Sequence, residues 1–181
     1  YNGVEIAEKM CSLVEEYTGI PAGDVVVAST GVIGQELKID PIAGGMEELV
    51  KGLASDEAHS SSAAEAIMTT DTVKKETAVS FTLGGKEVKL GVICKGVGMI
   101  CPNMATMLMF LTTDAAITPG MLQKAISEDV KDSLNMLSVD RDTSTNDTLC
   151  ILASGLAGNP EIAAEGEDFA LFSRALHTLT T

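Results

Sequence analysis

Aromatic residues are scarce in this sequence: 3% of the chain, with no Trp, two Tyr and four Phe. A core must therefore be assembled from Val, Ile, Leu, Met and Ala. Cations are scarce too. Lys and Arg number 12 against 26 Asp and Glu, for a net charge of −14. Nucleic acid and anionic membrane surfaces both require a Lys/Arg footprint, so neither is expected as a partner. A small anionic substrate needs only one local cation and stays open. No uncharged apolar run reaches the roughly 18 residues of a membrane span.

Histidine is rarer still, limited to His59 and His177. His59 lies in the polar run "DEAHSSS" and His177 in a helical pattern near the end, both placed as surface residues rather than bases. No GxSxG elbow, no HExxH and no Cys/His metal spacing is present, which removes the support for a serine-elbow hydrolase or a metal site. The phosphate-loop order GxxxxGK[ST] and the dinucleotide fingerprint are missing as well. No cofactor is expected. The four cysteines, Cys11, Cys94, Cys101 and Cys150, show no CxxC spacing and sit in apolar or mixed runs. They read as reduced core residues of an intracellular, cytoplasmic protein.

What is present is ordinary globular patterning: 45% apolar and 21% charged residues over a length that suits one domain or two small ones. Ile6, Met10, Leu13, Val14 and Tyr17 predict a helix over 3–17 closed by Gly19. "DVVVAST" (24–30) predicts a buried strand ended by Gly31. Asp40-Pro41 opens a second helix, and Ser62-x-x-Glu65 is a capping-box pattern for a short third one. Val79, Phe81 and Leu83, then Gly84-Gly85, then Val88, Leu90 and Val92 form a hairpin signature. A strand "TMLMFLTT" follows Pro102. Thr118-Pro119 starts a helix whose stripe runs through Leu122, Ile126, Val130, Leu134 and Leu137. "RDTSTND" is a polar turn before the strand "TLCILASG", and a last helix begins near Asp168. This order predicts an α/β fold with helices layered on mixed sheets. The chain opens at Tyr1 without Met and stops inside a helical pattern, and it is read as a fragment at both ends.

Three stretches carry chemistry. "ASTGVIG" runs a strand into Ser29-Thr30-Gly31, a turn able to aim backbone N–H groups at one point, as an oxyanion site requires, or simply to end a strand. "KGVGM" sets Lys95 beside Gly96 and Gly98, either as an anion-holding point charge or as a solvated lysine at a bend. Thr106, in "PNMATML", is either the first residue of a buried strand or an N-terminal nucleophile. In the second case the protein breaks its own Ala105-Thr106 bond, and the freed α-amine, with an unperturbed pKa of about 7.7–8.0, serves as the base.

Taken together, "STGVIG", "AIMTTDT", "KGVGMICPNMATML" and "DTSTNDT" resemble, in this order, the ornithine acetyltransferase family of arginine biosynthesis, the bifunctional glutamate N-acetyltransferases. The resemblance spans the whole chain. It implies an α/β fold with helices packed on stacked mixed sheets, shared with an autoprocessing aminopeptidase group. It implies a precursor that cuts itself between Ala105 and Thr106, so that 1–105 is the end part of an α chain and 106–181 the start of a β chain. The two are expected to stay associated, as α2β2. Residue by residue, it makes Thr106 the nucleophile, Thr30 and Gly31 the oxyanion pair, and Thr69 (or Thr70, one place on) and Lys95 substrate-binding positions. The implied reaction moves an acetyl group from N2-acetyl-L-ornithine to L-glutamate through an acetyl-Thr intermediate. Family members differ in whether acetyl-CoA also donates. A Glu well downstream of the nucleophile and an Asn and Thr/Ser near the far C-terminus belong to the family pattern at positions this sequence does not reach. Cys101 stands where the family often has a small residue. The alternatives are an autoprocessing amidase or aminopeptidase on the same scaffold, with water in place of glutamate, or an inactive piece of the transferase.

Overall fold

The computed structural model describes residues 2–99 and 107–181. The chain divides into two compact units, Tyr1–Ser60 and Ser61–Thr181.

In the first unit, helix α1 (Gly3–Thr18) ends as its sequence requires, with Gly19 in the left-handed conformation and its N–H on the Glu15 carbonyl. Helix α2 (Asp40–Lys51) carries Pro41 in its first turn. Among the described residues of this unit, Ile6 and Met46 are the buried apolar side chains. The strand expected at Asp24–Thr30 does not form. A short 3₁₀ turn occupies Ala22–Asp24 and irregular backbone follows, with Val26 63% exposed. β-branched residues favour a strand only where a neighbouring strand and a packed face receive them, and among the described residues none pairs with this run. The sharp turn lies beyond Gly31: Gln35 N–H bonds the Val32 carbonyl, and Gly34 supplies the positive φ of +85°.

Helix α3 spans Glu57–Ala66, so that it begins in the first unit and ends in the second, and it starts earlier than the Ser62 capping box suggests. Its cap is Asp56, whose Oδ1 accepts from the His59 amide at 2.9 Å. Strands β1 (Lys75–Leu83) and β2 (Lys86–Lys95) make the expected hairpin, with Gly84 and Gly85 both at positive φ as a two-residue turn demands. Strand β3 (Leu108–Thr113) pairs antiparallel with β2, and β4 (Thr148–Ala153) pairs parallel with β3. The parallel step needs a crossover, and helix α4 (Pro119–Asp132) lies within it, capped by the Thr118 hydroxyl. Helix α5 (Glu167–Thr180) packs on β1, β2 and α4.

The sheet order is β1-β2-β3-β4. Leu90 and Val92 of β2 are in register with Thr113 and Leu111 of β3, and with Val88 and α5's Phe169, Phe172, Leu176 and Leu179 they line the core. The spacing of those four α5 residues is one helical stripe. Phe172 meets Phe81 edge-on at 6.3 Å between ring centres. The α/β class, with helices packed on a mixed sheet, is as the sequence led one to expect. The α4 helix, however, is shorter than its apolar stripe predicts. The helix stops at Asp132, because Ser133 turns its hydroxyl onto the Asp129 carbonyl at 2.8 Å and leaves helical geometry, and a 3₁₀ turn follows at Leu134–Met136. Leu134 is still buried, but Leu137 is 46% exposed.

Candidate active site

Lys95 is the last residue of β2. Its neighbour Cys94 lies on the core face with Val88, Leu90 and Val92, so strand alternation turns Lys95 to the opposite face. There it is 3% exposed, with Nζ 3.4 Å from the Thr69 hydroxyl oxygen. Among the described residues no carboxylate forms an ion pair with it. Burying an ammonium with one long, neutral contact is costly unless a negative partner arrives. The cleft it faces has a volume of about 260 Å³ and is walled by residues 69–71 and 96–99, which is small-molecule size rather than peptide or nucleic-acid size. Gly96 continues the chain at φ 151°, which a side chain would resist. Of the two threonines, Thr69 is the one whose hydroxyl meets Lys95.

The loop bearing Thr69 is tied to the strand end by Asp71. Its side chain is 1% exposed and bonds Lys75 Nζ at 2.5 Å. It also accepts from the Gly96 amide at 2.8 Å and, more weakly, from the Thr69 amide at 3.5 Å. Burial pushes this carboxyl up, but the hydrogen bonds from Lys75, Gly96 and Thr69 together outweigh it, so the group stays below its ordinary value of 3.8. Asp71 thus ties the Thr69 loop to the strand end, and among the described residues it forms no ion pair with Lys95. Replacing Asp71 by Ala should cost about 2 kcal/mol of stability, in the range for hydrogen bonds to a charged group. Since the folded carboxyl titrates below 3.8, its contribution is present above that pH and lost as the pH falls through the folded value. The stability gap between wild type and Asp71→Asn, read by denaturant unfolding, should narrow over that acid range.

Other candidate groups are committed elsewhere. The Cys94 thiol is pushed up to about 11, chiefly by burial, and stays protonated at neutral pH. His59 Nδ1 pairs with Asp56 at the start of α3, and His177 Nδ1 with Asp129 at 2.8 Å. Cys11, Cys94 and Cys150 are free thiols. Among the described residues no group of three or more potential ligands is arranged for a metal ion, and no helix is long and apolar enough to cross a membrane.

Thr30 is half-buried and Gly31 exposed in the irregular stretch of the first unit. Ala105 and Thr106 lie outside the described residues, and with them the expected convergence of Thr30 and Gly31 on Thr106. The structure therefore joins Thr69 and Lys95 of the anticipated set. It adds Asp71, which the sequence offered only as one polar residue of "MTTDT".

The full length of the chain, residues 1–181, matches the model of the ArgJ family. The chain belongs to the ArgJ family. Among curated relatives, the arginine biosynthesis bifunctional protein ArgJ 1 of Clostridium acetobutylicum is 49% identical over 176 residues, covering 97% of this chain and 43% of the relative. ArgJ of Thermotoga neapolitana is 46% identical over 175 residues, with coverages of 97% and 43%. ArgJ of Chlorobium chlorochromatii is 48% identical over 177 residues, covering 98% of this chain and 40% of that protein. The chain thus spans less than half the length of these family members. Membership agrees with the resemblance drawn from the "KGVGMICPNMATML" and "DTSTNDT" motifs.

Proposed function

We propose that this chain carries the nucleophile and part of the substrate site of an acetyltransferase of arginine biosynthesis, which moves an acetyl group from N2-acetyl-L-ornithine to L-glutamate. The observation that carries the reading is the Lys95–Thr69 corner: a buried ammonium without a carboxylate partner among the described residues, facing a small cleft. Both substrates carry an α-carboxylate that such an ammonium would hold.

In the proposed reaction the Thr106 hydroxyl oxygen attacks the acetyl carbonyl carbon while its proton passes to the freed α-amine. Backbone and hydroxyl groups at Thr30 and Gly31 stabilise the oxyanion. The carbon–nitrogen bond breaks, ornithine leaves with the proton on its amine, and an acetyl ester remains on Thr106. The glutamate amine attacks that ester, the carbon–oxygen bond breaks, and the proton lost by the amine returns to the threonine oxygen. No metal or organic cofactor is needed for these steps.

The nucleophile's amine must first be released by cutting Ala105-Thr106, which assigns 1–105 to an α piece and 106–181 to a β piece. The sheet offers a reason for the two to remain together. β2 lies before the proposed cut and β3 after it, yet six residue pairs from Leu90↔Thr113 to Lys95↔Leu108 join them. Helix α5, after the cut, covers β1 and β2, before it. An α2β2 assembly is the proposed state of the complete enzyme.

The test is to trap the intermediate. Brief exposure of the complete protein to N-acetylornithine should add the mass of one acetyl group to the peptide that begins at Thr106. Adding glutamate should remove it and yield N-acetylglutamate. Release of acetate in place of N-acetylglutamate would turn the assignment to the amidase alternative.

A further inference from the structure

Three hydrogen bonds hold the residues on either side of the stretch that contains Ala105 and Thr106. On one side the Met99 amide donates to Asp140 Oδ2 at 2.6 Å. On the other, the Met107 amide donates to Asp147 Oδ1 at 3.1 Å, and the Met107 carbonyl accepts from the Thr148 amide at 3.0 Å. Asp140 and Asp147 are the two ends of one loop, whose sequence "DRDTSTND" reads as a plain polar turn.

The loop's shape is locally determined. The Asp142 amide turns back onto Asp140 Oδ1, and the Asn146 amide onto the Ser144 hydroxyl. The parallel register Leu108↔Thr148 then sets Asp147 beside Met107. Met99 and Arg141 both hold positive φ, 58° and 66°. Residues with side chains keep that conformation where their surroundings over-determine it, and these two flank the Met99–Asp140 bond.

We propose that Asp140 and Asp147 are positioning residues for the cleavage of Ala105-Thr106, a two-point clamp on the residues from which that segment departs and returns. The proposal rests on the self-cleavage reading above. In that step the Thr106 hydroxyl oxygen bonds to the Ala105 carbonyl carbon, the carbon–nitrogen bond breaks, and the nitrogen takes the hydroxyl proton to become the α-amine. Water then hydrolyses the ester, leaving a carboxylate on Ala105. Such an attack depends on how tightly its partners are held. Met107 follows Thr106 directly in the chain, so its amide and carbonyl bonds hold the residue next to the reacting one. After the cut, the loop belongs to the piece that begins at Thr106 and still grips Met99 on the other piece.

The experiment follows cleavage of freshly synthesised complete protein by intact mass over time, with melting temperature measured in parallel. Asp147→Ala and Asp140→Ala should each slow cleavage about tenfold, the loss of one charge-assisted hydrogen bond. Asp147→Asn keeps an acceptor oxygen for the Met107 amide and should recover most of the rate, a rescue that general destabilisation would not produce. Alanine variants that cleave at the wild-type rate would overturn the clamp while leaving self-cleavage intact. An Asn variant as slow as Ala would also overturn it, since the acceptor would then not be what matters. A wild-type protein that stays whole would overturn the cleavage reading and the clamp together.

Discussion

With Thr106 replaced by Ala, the complete protein should persist as one uncleaved chain and show no acetyl transfer. Both losses have one cause. In the proposed scheme the same hydroxyl attacks the Ala105 carbonyl during maturation and the acetyl carbonyl during turnover, and an alanine methyl can do neither. No other group among the described residues is placed to substitute. The Cys94 thiol is held protonated by burial, and both imidazoles are engaged with aspartates, His59 with Asp56 and His177 with Asp129. Loss of a covalent nucleophile typically removes many orders of magnitude of rate, as in triad enzymes where single knockouts cost on the order of 10⁶ in kcat. Thr106→Ser, which keeps a hydroxyl, should retain both activities in part. Intact mass reports the first activity and N-acetylglutamate formation the second. An Ala variant that still splits at this bond would remove the autocatalytic scheme.

Much of the scaffold is legible in the sequence where local rules suffice. The β1–β2 hairpin follows from alternation around Gly84-Gly85, and α5 follows from the single stripe Phe169, Phe172, Leu176 and Leu179. The misread elements are those decided by competition or by distant partners. Nothing in Val25-Val26-Val27 states that no strand among the described residues will pair with it. The helical stripe past Val130 does not reveal that the Ser133 hydroxyl will take the Asp129 carbonyl. The cap of α3, Asp56, is not legible because that helix buries almost nothing apolar beyond Ala64 and so gives no periodic signal. At the site, the motif resemblance points to Lys95 and Thr69, and their contact depends on the fold. Asp71 and Asp147 each look like one acid in a polar turn, and only register and loop closure bring them to the Gly96 and Met107 amides.

Lys95→Ala should lower kcat/KM for both N-acetylornithine and glutamate by roughly ten- to over a hundredfold, the equivalent of one charged hydrogen bond of about 1.5–3 kcal/mol. The argument begins with burial. A lysine 3% exposed, with a neutral hydroxyl at 3.4 Å and no carboxylate ion pair among the described residues, is a structural liability unless something anionic completes it. For the folded protein alone, removing it should be nearly neutral or slightly stabilising, because a desolvated charge disappears. Stability and activity should therefore move independently, which a purely structural lysine would not allow. The effect should fall on both half-reactions, because the α-carboxylate is what the two amino acids share. Lys95→Arg should recover only part of the rate: the guanidinium is planar, broader and more weakly hydrated than an ammonium, and the cleft of about 260 Å³ is bounded by Thr69 on one side and the Gly96 bend on the other. Steady-state kinetics with each substrate varied in turn, beside a denaturant unfolding curve, measure both quantities. Unchanged kinetics in the Ala variant would make Lys95 a buried scaffold residue and shift the assignment toward the amidase alternative, since the "KGVGM" stretch is a main reason for preferring the transferase.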